Sequence, residues 1–116
     1  MQRTLRLLKQ SKAIKKFEVI DAKVGKDFYY LKVIAYLIDD SILFIREFLS
    51  IEEFIYSYHW QTKEGKLIVR WDNAPHHKHL QTYPHHKHIP EVVESYENDI
   101  EDVLRYIERK LFTNQQ

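Results

Sequence analysis

The two ends of the chain carry apolar residues at helical spacing. In the C-terminal stretch every third or fourth residue is apolar, which predicts an amphipathic helix over about residues 96–112. The residues of this stripe are Ile100, Val103, Leu104, Ile107 and Leu111. We expect Ser95 to cap this helix, because a hydroxyl oxygen can accept a hydrogen bond from the first unpaired N–H groups. A second helix is predicted over residues 2–15, with Leu5 and Leu8 on its apolar side.

Between residues 17 and 71 the pattern changes to short runs rich in β-branched and aromatic residues. Four groups of turn-forming residues, at 25–27, 39–41, 50–53 and 64–65, divide this region into five predicted strands. Connections this short cannot hold a crossover helix, so successive strands should pair as an antiparallel meander. The sequence therefore predicts one α+β domain over residues 1–116, with the N-terminal and C-terminal helices covering the sheet.

The last two predicted strands form a hairpin over residues 54–73, with its turn at Glu64 and Gly65. This turn predicts the following pairs: Lys63 with Lys66, Trp60 with Val69, His59 with Arg70, Tyr58 with Trp71, and Ser57 with Asp72. Alternation along the strands then puts the aromatic side chains on a face that packs under a helix. The opposite face is polar and holds Ser57, His59, Gln61, Arg70 and Asp72.

Two adjacent charged residues, Arg46 and Glu47, interrupt the apolar third strand. Neighbouring residues of a strand point to opposite faces, so these two side chains cannot both line one site. A buried charge is costly unless it is paired, and we expect Lys32 to neutralise Glu47. The alternative is that either Arg46 or Glu47 lines the functional site.

Composition excludes several classes of function. The chain has 116 residues, a net charge of +1 and no cysteine, which rules out a disulfide framework, a thiolate nucleophile and a sulfur-ligated zinc site. No apolar run approaches the roughly 20 residues needed to cross a bilayer, and no signal-peptide pattern is present. We therefore expect a cytoplasmic protein that does not act at a membrane.

Residues 72–94 hold all three prolines and six of the seven histidines. Within this segment the pentapeptide PHHKH at residues 75–79 recurs, identical, at residues 84–88. Proline restricts the backbone, so each histidine cluster follows a stiffened point of the chain that can hold imidazoles in defined places. Function is therefore predicted to lie in this segment, next to the polar face of the hairpin.

The motif RWDNAPHH at residues 70–77, followed by TYPHHKH at residues 82–88 and a closing amphipathic helix, resembles the TumE-like toxin components of prokaryotic toxin–antitoxin modules. The resemblance implies a small cytoplasmic toxin that a cognate antitoxin protein binds and silences. It does not imply a particular biochemical target.

The residue types in and beside the repeat suit RNA cleavage without a metal cofactor. Histidine titrates near neutral pH, so two imidazoles can act as general base and general acid across a phosphodiester. Arginine can bind the charge that develops on phosphorus. The predicted catalytic residues are Arg70, Asp72, His76, His77, His85 and His86. The predicted substrate-binding residues are Lys78, Lys87, Tyr83 and Asn73.

Two alternatives remain open for the histidines. The first is a divalent metal site, for zinc or a similar ion, because two His-x-His sequences could supply four imidazole ligands. Its ligands would be His77, His79, His86 and His88. The second is a structural loop in which the imidazoles only make hydrogen bonds.

Overall fold

The computed structural model describes residues 1–75 and 77–113, which form one antiparallel sheet with a helix at each end of the chain. Helix α1 spans Gln2–Gln10 and helix α2 spans Ile100–Thr113. The strands are β1 (Ile14–Val24), β2 (Phe28–Leu37), β3 (Ile42–Ser50), β4 (Phe54–Gln61), β5 (Leu67–Asp72), β6 (His86–His88) and β7 (Val92–Glu94). They lie side by side in chain order. The predicted α+β class and the antiparallel meander are confirmed.

The predicted number of strands is wrong, because the sheet that the described residues form has seven strands and not five. The two additional strands, β6 and β7, are three residues each and lie in the segment that we predicted to be a loop. A three-residue strand with the sequence His-Lys-His shows no apolar alternation. Its pairing with the free edge of β5 is a tertiary feature that the local sequence does not reveal.

Both helices differ from prediction at their ends. Helix α1 stops at Gln10 because Ser11 has an extended backbone that leads into β1. Helix α2 begins at Ile100, where the backbone N–H of Asp102 donates to the Asp99 side chain at 3.1 Å. Asp99 therefore caps the helix, and the prediction of Ser95 is wrong. The Ser95 hydroxyl instead donates to the carbonyl of Glu97 at 2.9 Å.

The core lies between one face of the sheet and the two helices. Alternate residues of β2, β3, β4 and β5 are buried together with Leu8 from α1 and with Val103 and Ile107 from α2. We call the other side of the sheet the open face, because its residues along β2, β3 and β4 are partly or fully exposed. No helix in the described residues is long and apolar enough to cross a membrane.

The register of the β4–β5 hairpin is confirmed at four of the five predicted pairs, from Ser57 opposite Asp72 to Trp60 opposite Val69. The predicted pair of Lys63 with Lys66 is wrong. A register shift after Trp60 puts Gln61 opposite Leu67, and the N–H of Thr62 donates to the carbonyl of Lys66 at 2.8 Å.

Glu47 is buried in the core, but Lys32 does not neutralise it. In the sheet Lys32 lies opposite Arg46 on the open face, so the predicted pair is wrong. Three hydroxyl groups surround the Glu47 carboxylate instead: Thr4 at 2.7 Å, Tyr29 at 3.2 Å and Tyr58 at 2.5 Å. The carboxylate thereby ties helix α1 to the middle of the sheet.

Candidate functional site in the histidine cleft

The register of β5 and β6 gathers the polar residues of the candidate site on the open face. Asp72 lies opposite His86, and Arg70 lies opposite His88. Residues two apart in a strand point to the same face, so these four side chains share one side of the sheet. His86 and His88 of the second repeat point to the same face because their His-x-His sequence forms strand β6. In the first repeat, the corresponding residues lie in a turn.

Asp72 is the centre of this group, and its side chain is 11 % exposed. One carboxylate oxygen, Oδ1, lies 2.8 Å from His86 Nε2 and accepts a hydrogen bond from the backbone N–H of Ala74 at 3.0 Å. The other, Oδ2, lies 3.5 Å from Arg70 Nε and 3.6 Å from His88 Nε2. A single buried carboxylate therefore orients one guanidinium and two imidazoles.

The ring of His86 is 2 % exposed and has an acceptor at each nitrogen. Nδ1 lies 3.0 Å from the carbonyl oxygen of Pro84, and Nε2 faces Asp72. His86 is thus suited to hold Asp72 in place, and it has no nitrogen left for a substrate.

His77 and His88 border an open cleft of about 450 Å³. The His77 ring centre lies 4.6 Å from that of His86 and 6.1 Å from that of His88. Burial lowers the pKa of His88, and the nearby Asp72 carboxylate offsets part of this effect. Arg46, Ser57 and Arg70 line the same cleft. It therefore combines two accessible imidazoles with two guanidinium groups.

One predicted catalytic histidine, His85, is not in the described lining of this cleft. His85 precedes β6 and lies against Tyr56, with Nδ1 2.8 Å from the Tyr56 hydroxyl and the ring centres 5.8 Å apart. Burial lowers the pKa of His85, and the charge of His86 adds to this. His76 lies outside the described residues.

None of the four predicted substrate-binding residues is in the described lining of the cleft. Lys87 lies between two residues that face the cleft, so alternation turns it to the helix side of the sheet, where its Nζ is 2.8 Å from Glu97. The amide of Asn73 bridges β4: it donates to the carbonyl of Phe54 at 2.6 Å and accepts from the N–H of Tyr56 at 3.0 Å. Lys78 and Tyr83 are exposed on the loop between β5 and β6.

Three of the four alternative metal ligands converge. One nitrogen each of His77, His86 and His88 lies within 4.8 Å of the others. His79 is outside this group, and its ring centre is 6.0 Å from that of His77. A metal ion at this position would require His86 to release Asp72 or Pro84. The geometry therefore fits an ion only after one of these two contacts of His86 is broken.

Sequence reasoning missed two residues of the cleft. His88 was predicted only as a metal ligand, and Arg46 only in the alternative that either it or Glu47 lines the site. The His-x-His spacing was the available signal for His88, because in a strand it places both imidazoles on one face. Arg46 comes from β3 and reaches the cleft through a register that depends on two hairpins.

Comparison with known proteins supports the resemblance found in the sequence. No curated protein and no solved structure matches the chain. A family model described as Toxin TumE matches residues 4–111, which include every described residue of the cleft. The chain therefore belongs to the TumE toxin family.

Proposed function

We propose that this toxin acts on RNA at the histidine cleft and cleaves it by acid–base chemistry that needs no metal ion. The observation that carries the proposal is the arrangement of Arg70, His77 and His88 around one open cleft, with Asp72 fixed behind them. Arg70 and His88 lie on paired strands, and rigid support of this kind is what positioned acid–base catalysis requires.

In the proposed reaction His88 is the general base and His77 the general acid. With a proton on Nε2 facing Asp72, the His88 ring accepts the proton of a ribose 2′-hydroxyl at Nδ1. The 2′-oxygen then bonds to phosphorus, and the bond from phosphorus to the 5′-oxygen breaks. His77 donates a proton to the departing 5′-oxygen. The products are a 2′,3′-cyclic phosphate and a 5′-hydroxyl.

Arg70 is proposed to bind the phosphate oxygens as negative charge builds on them. Its guanidinium Nε is 3.5 Å from Asp72, and Nη1 lies 3.4 Å from His59 Nδ1. The side chain is 40 % exposed, so it can reach a substrate while two neighbours hold it. Arg46, which lines the same cleft, supplies a second positive charge.

The metal site is the weaker alternative, because both nitrogens of His86 already have protein partners. The two proposals differ in their response to a chelator. Acid–base cleavage continues in EDTA. If the histidines bind an ion, its removal by EDTA abolishes activity and lowers the stability of the fold.

The test is cleavage of mixed-sequence single-stranded RNA, with and without EDTA, by protein prepared without a His tag. We expect EDTA-resistant cleavage that falls about a hundredfold or more in both His77→Ala and His88→Ala. The matched control is His79→Ala, an exposed histidine of the same repeat outside the cleft lining, which should cleave at the wild-type rate. Stoichiometric bound metal without RNA cleavage or binding would refute the proposal.

Family membership also supports a cognate antitoxin protein as partner. Co-expression with each neighbouring open reading frame tests this. We expect growth arrest on expression of the toxin alone and rescue by one neighbour that co-purifies with it. Absence of both a growth defect and a bound neighbour would contradict the toxin–antitoxin assignment.

A further inference from the structure

We propose that the open face carries a second phosphate-binding site beside the histidine cleft, formed by Lys32, Arg46 and Arg70. The inference rests on the proposed action on RNA, and it assigns this site to a phosphate of the same strand next to the one that is cleaved. We call it the flanking phosphate site.

The first observation is an unneutralised pair of positive charges. Lys32 on β2 and Arg46 on β3 lie directly opposite each other on the open face. Like charges in directly opposite positions destabilise a sheet. Within residues 1–75 and 77–113, neither side chain has a carboxylate within ion-pair distance. An anion bound between the two would remove this repulsion.

The second observation is a hollow of about 310 Å³ that these residues surround. Lys32, Arg46 and Arg70 line it together with Ser57 and His59, and its described lining contains no acidic side chain. Three cations around a partly enclosed space concentrate positive potential there. The lining also offers the Ser57 hydroxyl as a neutral hydrogen-bond donor.

His59 holds Arg70 at the border of the hollow. Its Nε2–H donates to Gln61 Oε1 at 3.1 Å, which leaves Nδ1 as the acceptor that faces Arg70 Nη1 at 3.4 Å. Burial and the Arg70 charge both lower the pKa of His59, in agreement with a neutral ring. The guanidinium is therefore held between the hollow and Asp72, where it can contact a phosphate on either side.

The hollow is continuous with the histidine cleft, which indicates that its ligand is a phosphate of the same RNA strand. Arg46, Ser57 and Arg70 line both spaces. Arg46 on β3 lies two strands away from Asp72 on β5, a separation of about 10 Å at the usual strand spacing. An extended single strand that crosses the sheet from β5 to β2 would thus bring a neighbouring phosphate to Lys32 and Arg46.

Aromatic side chains beside the cations favour a nucleic acid over an acidic protein segment. Phe44 lines the hollow next to His59, with their ring centres 6.0 Å apart, and Tyr30 and Phe48 line the adjoining cleft. Proteins that bind single strands combine a basic groove with aromatic rings on which bases stack. The carboxylates of an acidic peptide have no flat base that could stack on such rings.

The experiment measures binding of a mixed-sequence single-stranded oligonucleotide with 2′-O-methyl riboses, which cannot be cleaved through the 2′-hydroxyl. Affinity is measured at several salt concentrations for the wild type, Lys32→Ala, Arg46→Ala and the control Lys66→Ala. Lys66 is exposed on the β4–β5 turn, away from both spaces. We expect each test variant to bind about tenfold more weakly. The slope of log affinity against log salt concentration should become shallower by about 0.7, the value for one lost phosphate contact to a single strand. Lys66→Ala should match the wild type.

The outcomes separate this inference from the proposed cleavage. If the wild type cleaves RNA and both variants bind with the same salt dependence as the wild type, the flanking phosphate site is refuted and the cleavage proposal stands. Reduced slopes in a protein that binds but does not cleave RNA would support the site and refute cleavage. Failure of the wild type to bind the oligonucleotide, or equal binding of poly(glutamic acid), would overturn the site in favour of another anion.

Discussion

Asp72→Asn is the most informative single change, because it removes the charge at the centre of the candidate site and leaves its shape. The carboxylate is 2.8 Å from His86 Nε2 and 3.5 Å from Arg70 Nε, and the residue is 8 % exposed. An asparagine can keep its oxygen on His86 and on the N–H of Ala74. Its NH₂ group then faces Arg70 and His88, which offer further donors. The substitution therefore both weakens one bond and creates a mismatch.

The size of the effect follows from these contacts. A hydrogen bond to a charged group contributes roughly 1.5–3 kcal/mol and a neutral one about 0.5–1.5 kcal/mol, so the bond to His86 loses about 1 kcal/mol. A buried donor without an acceptor costs a further 1–3 kcal/mol or so. We expect a total loss of about 2–4 kcal/mol in the free energy of unfolding. For a chain of this size that corresponds to a fall in Tm of roughly 10 °C.

The assay is urea unfolding followed by circular dichroism, with thermal unfolding as a second readout. Asp27→Asn is the matched control, because Asp27 is exposed on the turn between β1 and β2, and its variant should unfold like the wild type. Equal stability of Asp72→Asn and the wild type would refute the reasoning, since the carboxylate would then not hold the imidazoles together.

Three further predictions follow from other contacts. Tyr58→Phe should lose about 1.5–3 kcal/mol of stability in urea unfolding, because the buried Glu47 side chain loses a donor at 2.5 Å; an unchanged midpoint would show that this hydrogen bond does not stabilise the fold. Lys87→Met should lower stability and leave RNA cleavage per folded molecule unchanged, because Lys87 pairs with Glu97 on the helix side; lost cleavage with intact stability would place Lys87 in the site. Stability should fall as the pH drops from 7 to 5, because the pKa values of His59, His85 and His88 are lowered in the fold and the unfolded chain then binds more protons than the folded chain. A Tm that rises as the pH drops from 7 to 5 would contradict those shifts.

The sheet was predictable from the sequence wherever burial of one face imposes alternation. A slip of one residue in the β4–β5 hairpin would have exposed Trp71 and buried Arg70, so the pattern allowed only one register there. The bulge at Gln61 was not predictable, because it lies beyond the buried part of the hairpin. Strand β6 was not predictable either, because its pairing depends on the exposed edge of β5.

The candidate site was predictable in its residue types and only partly in its members. From the repeat we expected histidines beside Arg70 and Asp72, and His88 and His86 lie opposite these residues. We also expected the two copies to be equivalent, and they are not. The second copy is a strand that directs His86 and His88 to the cleft, whereas His85 precedes the strand and lies against Tyr56. Among the described residues, the second copy alone pairs with the sheet, and two identical pentapeptides cannot reveal this difference.

The most direct test of the central claim is the chemical identity of the ends that the wild-type toxin leaves on a single-stranded RNA in the presence of EDTA. Attack by the 2′-hydroxyl, with His88 as base and His77 as acid, predicts a 2′,3′-cyclic phosphate on one fragment and a 5′-hydroxyl on the other. Mass spectrometry of the fragments distinguishes these ends. Fragments with a 3′-hydroxyl and a 5′-phosphate, or intact RNA, would contradict the proposed mechanism.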